Sequence, residues 1–440
     1  MYIDYFKKKN YFLNIFSFLF ILFPVSIIIG NFFSNLIILL IIFFLSIDFL
    51  KNKNENLKKV LRVIKDSRII LIFTFIFFIL LIISSIENTF SFFKSLSYLR
   101  FLFFFLAIYF YFPLFYKYYK SQFLKIIFIC LILVNTSIIL EFLISMKYQN
   151  FFNKAQPERM SGIFFDELIA GWYISIFFSL FLAFKGFSKN FSLIFFYILN
   201  IFCLILTGEK TSLFSFIIII IFNLFFNKLL RKWFLKIFSL TIIIFFLAVS
   251  TNNNIYKRLI DDPLKYINDP FYWTPKLRGN DEISFEKHEF EKKPMLKKLK
   301  QTAWGSHYSI AYYMFVDKPF FGHGVRSFRI ECSKYFYKDP KLQYFGCSTH
   351  PHNIFFELLA EAGILNLLLF STFNLLIFIK CTSKKYINKK NIFFSIFVIS
   401  IILSIIFPLK PTGSIFTTNY ASPYWMLLGM ALSLIKKSRN

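Results

Sequence analysis

Long runs of Phe, Ile and Leu recur along the whole chain, separated by short polar joints. Twelve such stretches are legible, at roughly 11–29, 32–50, 69–86, 96–116, 123–146, 168–186, 190–206, 211–226, 233–250, 360–380, 391–408 and 420–435. A helical bilayer crossing needs about 17–25 apolar residues. Backbone polar groups find no partner in lipid outside the helix that contains them, so each stretch should be helical. The pattern predicts an all-α, polytopic helical membrane protein with about 12 transmembrane helices. Of 440 residues, 57% are hydrophobic and 69 are Phe, a composition foreign to soluble domains. Residues 1–250 carry spans one to nine, 251–353 form one large loop with room for short helices, and 354–440 carry the last three spans.

A formal net charge of +28 would suggest nucleic acid in a soluble protein. Here the basic residues follow the spans instead, and no nucleic-acid partner is expected. Lys7, Lys8 and Lys9 precede the first span, and Lys51, Lys53, Lys58, Lys59, Arg62, Lys65 and Arg68 follow the second. Lys117 and Lys120 follow the fourth span, Lys185 and Lys189 the sixth, and Lys228, Arg231 and Lys232 the eighth. Lys384, Lys385, Lys389 and Lys390 follow the tenth, and Lys436, Lys437 and Arg439 follow the last. Every second joint is basic, which by the positive-inside rule puts both termini in the cytoplasm and the 251–353 loop outside. Met1–Asn10 is basic and precedes an apolar run with no small-residue cleavage site, so the first span should be retained.

The external joints carry the polar detail. One reads QPERMSGIFFDELIAG over 156–171, with Arg159, Asp166 and Glu167 among apolar residues, and another reads TGEKT over 207–211. The 251–353 loop holds all five histidines and is too long for a plain connector. Its Asp281–Lys300 part is charge-rich and reads as a solvated helix or flap, while Gln301–Val316 has helical spacing and an amphipathic face suited to the membrane surface. Gly322-His323-Gly324 is too short for a nucleotide fingerprint, and no P-loop is present. Of five cysteines, Cys130 and Cys203 lie in apolar runs and Cys381 at a basic helix end. Cys332 and Cys347 share the large loop; outside the cytoplasm they can pair, and otherwise they stand as two free thiols.

The loop meets the tenth span at His350-Pro351-His352-Asn353-Ile354. Pro351 restricts His350, and Asn353 is placed to cap a helix beginning near Ile354. Glu357 and Glu361 then share one face of that helix, whose N-terminus favours anions. An imidazole at a water–lipid boundary can exchange protons with a lipid-borne substrate, which makes His352 the candidate for catalysis against the plainer reading of a surface turn. His350 and His352 also suit a metal, but no carboxylate or cysteine stands at a usual ligand spacing, so no metal and no cofactor is expected. Arg159, Lys210, Arg258, Arg326 and Arg329 all fall on the external side. Arginine forks fit phosphate oxygens; singly each reads as a solvated or headgroup charge, and together they suggest an anion site. Arg100, within the fourth span, reads most simply as a snorkelling side chain. Pro408, Lys410, Pro411 and Gly413 break the chain before the last span and suggest a re-entrant rim.

These features resemble the O-antigen ligase/polymerase superfamily. The most specific likeness is His352-Asn353, nine residues, then Gly363, as in the ligase signature His-[Asn/Ser/Gln]-x9-Gly-x-x-[Gly/Thr/Val]; Asn366 at its last position departs from it. RMSGIFFDELIAG is similar to the family's Arg-x-x-Gly loop, TGEKT to its Thr-Gly-Glu-Arg turn with Lys210 for arginine, and DKPFFGHGVRSF to its Pro-x-x-Gly-x-Gly segment. FPLKPTGSIFTTNYASPYW is similar to its closing segment, so the likeness covers about 157–430. The ligases' Arg-x3-Leu motif aligns with His307 and Ala311, a departure from strict lipopolysaccharide ligases. The resemblance implies an inner-membrane glycosyltransferase with its active site facing the periplasm. The donor would be an undecaprenyl-pyrophosphate-linked glycan and the acceptor lipid A-core or another glycan, both met among membrane lipids. It implies His352 as general base or orienting group and Arg159 as a holder of the pyrophosphate; Lys210, Arg258, His307, Arg326 and Arg329 are further candidates for that pyrophosphate, with Asn353, Glu357, Glu361 and Gly363 in support.

Overall fold

The computed structural model describes residues 11–147, 159–165, 167–186, 191–226, 228–251, 253–262, 264–265, 303–338, 346–383 and 391–434. Asp166, the 281–300 segment with His288, and several of the flanking lysines lie outside them.

Each of the twelve apolar stretches is occupied by a helix. The first five are α1 (Tyr11–Ile29), α2 (Asn31–Lys51), α3 (Lys53–Ser84), α4 (Thr89–Tyr118) and α5 (Lys120–Lys147). Then come α6 (Ala170–Lys185), α7 (Phe191–Leu206), α8 (Lys210–Phe226) and α9 (Lys228–Thr251). A helix in the 251–353 loop, α10 (Ala303–Asp317), precedes α11 (Ile354–Thr382), α12 (Ile392–Ile405) and α13 (Thr418–Ser433). Among the described residues there is no strand, and six helices are long and apolar enough to cross a membrane by themselves: α1, α2, the Ser67–Ser84 part of α3, α4, Lys120–Ser145 of α5, and α11. The basic 53–66 stretch, expected as a joint, is helical and continuous with the span; it contains no Gly or Pro and many good helix formers.

The bundle is held by aromatic packing. α13 lies on α4, α11 on α3, and α1 on α2. Trp425 of α13 is fully buried against Phe77, Phe78, Phe105 and Phe373, with ring centroids 5.0 to 6.2 Å away. Such contacts each contribute about 0.5–1.5 kcal/mol beyond area burial. Trp425 Nε1 donates to the Tyr98 hydroxyl at 2.9 Å, and that hydroxyl donates to the Ile415 carbonyl at 3.0 Å, so the buried polar tips are satisfied. Arg100, read from sequence as a snorkelling side chain, also has partners on other helices: it donates to Asn35 of α2 at 3.2 Å and to Thr418 of α13 at 3.4 Å. Tied in this way, it bridges three helices, as an intramembrane charge requires.

The weakly charged connections meet at one end of the bundle. The Val325 amide donates to Ser85 Oγ at 3.1 Å, Lys318 pairs with Glu87, Arg159 pairs with Glu209, and Arg258 reaches the Gly208 carbonyl. Asn353 bonds the Pro408 carbonyl at 2.7 Å. This grouping matches the alternation of charge along the chain.

Over this end lies a small second core of Ile310, Ala311, Met314, Phe328, Cys332, Tyr335 and Ala360. Cys332 and Cys347 are disulfide-bonded, with Cα atoms 5.4 Å apart. The loop crosses α11 in backbone contact: His323 N donates to Ala360 O at 3.0 Å, Gly324 N to Glu361 O at 2.8 Å, and Ile364 N to Pro319 O at 2.8 Å. Gly363 makes this possible. Its φ is +75°, and a Cβ there would lie 2.2 Å from the Phe320 carbonyl oxygen. The glycine breaks α11 at this point and frees the Gly363 neighbourhood for a second strand of backbone.

Candidate functional site

Asn353 starts α11. Its Oδ1 accepts from Phe355 N at 3.0 Å and Phe356 N at 3.3 Å, so the helix N-terminus expected to be open to an anion is capped by its own side chain. One residue earlier, His352 has φ +57°. A non-glycine residue holds such a conformation only where its surroundings over-determine it, and here Thr412 N donates to the His352 carbonyl at 2.8 Å. His350 is fixed by the same threonine: its Nε2 donates to the Thr412 carbonyl at 3.2 Å, and its Nδ1 accepts from Thr349 Oγ1 at 2.9 Å. The tautomer follows, because a carbonyl only accepts. Segment 408–412, read from sequence as a rim, is thus a strap behind both histidines. Lys410 on that strap is buried and donates to Ser215 of α8.

Three imidazoles and an indole meet here. His352 lies 4.1 Å from His350, 5.3 Å from His307 and 4.7 Å from Trp304, centroid to centroid. His307 Nδ1 donates to the Gly346 carbonyl at 3.1 Å. Among the described residues no hydrogen bond reaches the ring of His352, which leaves it available to a ligand. Burial first, then His350 and His307, push His352 down to about 2. Burial, with help from His307, Arg329 and Arg326, pushes His350 down to about 4, although the Thr412 carbonyl opposes this. Burial also lowers His307, opposed by the Gly346 carbonyl. The three rings are therefore neutral near pH 7. A base poised near neutrality, as the sequence suggested, needs an anion beside it to offset this desolvation.

Glu357 and Glu361 do share a face of α11, but it is a buried one. Glu361 accepts from the Arg326 amide at 2.6 Å and the Phe328 amide at 3.0 Å. Glu357 accepts from the Ile415 amide at 2.9 Å. Both carboxylates fix loop backbone, and Arg326 is held at φ +61°. Arg329 donates to the Thr349 carbonyl at 3.1 Å, beside His350. Glu357 Oε1, Thr412 Oγ1, Arg326 Nε and Arg329 Nε are buried with no hydrogen-bond partner among the described residues. Buried polar atoms are seldom left so, and this group suits a polar ligand.

The other cations form a second group. Glu141 of α5 accepts from Ser161 N at 3.0 Å and Gly162 N at 2.6 Å, which folds the RMSG loop back and presents Arg159. Arg159 donates to the Leu168 carbonyl at 3.2 Å and lies 3.8 Å from Glu209 Oε1. Glu209 accepts from Gly171 N at 3.0 Å and Trp172 N at 3.1 Å, capping α6. Lys210 begins α8, and Arg258 Nε reaches the Gly208 carbonyl at 3.5 Å. The two groups are joined by contact: the Trp172 ring is 5.5 Å from that of Tyr420, which packs so closely on Gly413 that a Cβ there would lie 2.1 Å from it.

The residues named from sequence thus fall into place unevenly. Arg326 and Arg329 stand beside His350, and His307 stands against His352 itself. Arg159, Lys210 and Arg258 surround the Gly208–Glu209 turn. Sequence reasoning did not single out Glu209, Thr412 or Trp304. An acidic residue at a span end in a basic chain was a usable signal for Glu209; nothing local marked the other two. Among the described residues, no group of three or more His, Cys, Asp or Glu is arranged to hold a metal ion.

Residues 195–371 match the O-antigen ligase family model. The match supports a likeness to the O-antigen ligase/polymerase superfamily over that region. It covers α8, α9, α10, the histidine junction and the kink at Gly363. No curated protein matches the chain. The family implies a multi-pass membrane enzyme of glycosyltransferase type acting on a lipid-linked glycan and a glycan acceptor.

Proposed function

We propose that this O-antigen ligase-like protein moves a glycan from an undecaprenyl-pyrophosphate carrier to an acceptor hydroxyl, lipid A-core in the first instance, at the periplasmic face of the inner membrane. The observation that carries the reading is the His352 ring, unbonded among the described residues, close to His350 and to the half-buried Arg326 and Arg329 at the weakly charged end of the bundle. The acceptor oxygen attacks the anomeric carbon as the bond from that carbon to the phosphate oxygen breaks. Undecaprenyl pyrophosphate leaves, the acceptor proton passes to His352, and the anomeric carbon inverts. Charge grows on the leaving oxygens, and fixed cations offset it. Arg326 and Arg329 serve that role beside His350, with Arg159, Lys210 and Arg258 extending the site. The pyrophosphate also supplies the negative charge that raises His352 toward neutrality, so the base is switched on by its donor. Pyrophosphate is already a good leaving group, and neither metal nor cofactor enters the scheme. By the same reading both termini are cytoplasmic.

A second reading, a polymerase or a protein O-glycosylating relative, is favoured by one observation: His307, not arginine, packs on His352. The glycolipid profile of a deletion strain tests both. Accumulated long carrier-linked chains support the ligase, accumulated single repeats support the polymerase, and an unchanged profile rejects glycan transfer.

A further inference from the structure

Arg326 and Arg329 act on His350, and Arg329 is bonded to Thr349. His307 and Trp304 pack on the His352 ring. The arginines act on His350, and the indole touches His352. A displacement at carbon brings the nucleophile in opposite the leaving group. If the arginines hold the departing diphosphate, the indole is an exposed aromatic surface left beside the base for the acceptor.

Trp304 is built for such contact. It sits in the first turn of α10 with 37% of its surface exposed, and its ring meets that of His352 at 80°. One turn on, Tyr308 stacks on Phe356 with ring centroids 4.8 Å apart and planes 4° from parallel. Ile310, Ala311 and Met314 lie fully buried in the second core. The helix cannot slide, so the indole is fixed relative to the imidazole. An indole face is electronegative, and the C–H bonds on the apolar face of a pyranose present a positive edge to it. A rigid aromatic surface also binds at little entropic cost.

We propose that Trp304 is the acceptor-sugar platform: its exposed face takes the apolar face of the acceptor pyranose and presents that sugar's hydroxyl to His352. This rests on the glycosyltransferase reading given above.

The test uses the full-length protein in lipid nanodiscs, with undecaprenyl-pyrophosphate-linked glycan as donor. The acceptor probes are deacylated lipid A-core oligosaccharide and an undecaprenyl-linked single repeat. Trp304→Ala should raise the KM for the acceptor about tenfold, leave the donor KM within about twofold, and be largely rescued by Trp304→Phe. Trp304→Leu, which keeps bulk without the ring face, should behave like alanine and serves if the alanine variant does not accumulate. An unchanged acceptor KM overturns the proposal. So does a fall in kcat alone that leucine rescues as well as phenylalanine, because that marks the indole as a wall for His352. Direct binding of the same oligosaccharides by saturation-transfer NMR separates the two readings. Trp304-dependent binding without turnover in the wild type would sink glycan transfer but keep the platform, whereas turnover with Trp304-independent binding would sink the platform alone.

Discussion

The rings of His350 and His352 lie 4.1 Å apart with their planes tilted by 45°, and the carbonyl and amide of one threonine, Thr412, bond to both residues. The His350 ring makes a proton on His352 costly. Burial contributes most to the low basicity of His352, and His350 is the next cause. Removing His350 should therefore raise the titration of His352. With His350→Asn, the acid limb of kcat/KM for glycan transfer should move to higher pH, because kcat/KM reports groups of the free enzyme. An unmoved acid limb would show that the two rings do not communicate.

The same depression sets how stability varies with acidity. Histidine in the unfolded chain titrates near 6.5, well above the folded values of about 4 for His350 and about 2 for His352. Below pH 6.5 the unfolded state binds more protons, so stability falls as pH falls. Thermal unfolding in detergent should thus lose degrees steadily from pH 7 to pH 4. The double variant His350→Asn, His352→Asn should show a shallower slope over that window.

Replacing His352 alone tests the chemistry. Asparagine tolerates the left-handed backbone found at this position, so His352→Asn should insert and fold. A lost general base costs about 10²–10⁴-fold in rate. Transfer measured in isolated membranes should fall by that order while donor binding persists; a variant within threefold of the parent would remove His352 from the reaction.

Much of this was open to reading from the sequence. The helices were, because apolar runs in lipid have one way to satisfy their backbone. The cap at Asn353 was, because its side chain acts on its own neighbours, Phe355 and Phe356. The role of Gly363 came from a motif, and its physical cause, the crossing by Phe320, needed the fold. The pairing of Glu361 with the Arg326 amide, of Thr412 with His352, and of Trp304 with the same imidazole was out of reach. Each joins residues on different elements, and no local spacing encodes such contacts. Local reading also left the N-terminus of α11 open, because it placed the cap without tracing where its bonds went.

Glu361 gives a stability test away from the histidines. Its two oxygens accept separate amides of the Arg326–Phe328 turn. Glu361→Ala leaves two buried N–H groups unbonded at about 1–3 kcal/mol each, and should lower the melting temperature sharply. Glu361→Gln keeps one acceptor and should fall between.

Gly363→Ala should be severe. The left-handed backbone alone costs about 1–2 kcal/mol with a side chain, and the new methyl would sit 2.2 Å from the Phe320 oxygen. The 319–324 crossing would have to part from α11. Limited proteolysis of membranes should then cut the loop near Phe320 and Phe321 faster than in the parent.

The Cys332–Cys347 bond closes 15 residues of chain, and a closure of this length stabilises by about 3 kcal/mol in the chain-entropy model. Both sulfurs flank the stretch between the second core and the Gly346 carbonyl that orients His307. The double variant Cys332→Ser, Cys347→Ser should therefore insert normally, lose several degrees of thermal stability, and transfer glycan more slowly. Thiol labelling of unreduced parent protein checks the premise: full labelling at both positions would mean that the bond does not form, and the stability difference should then vanish.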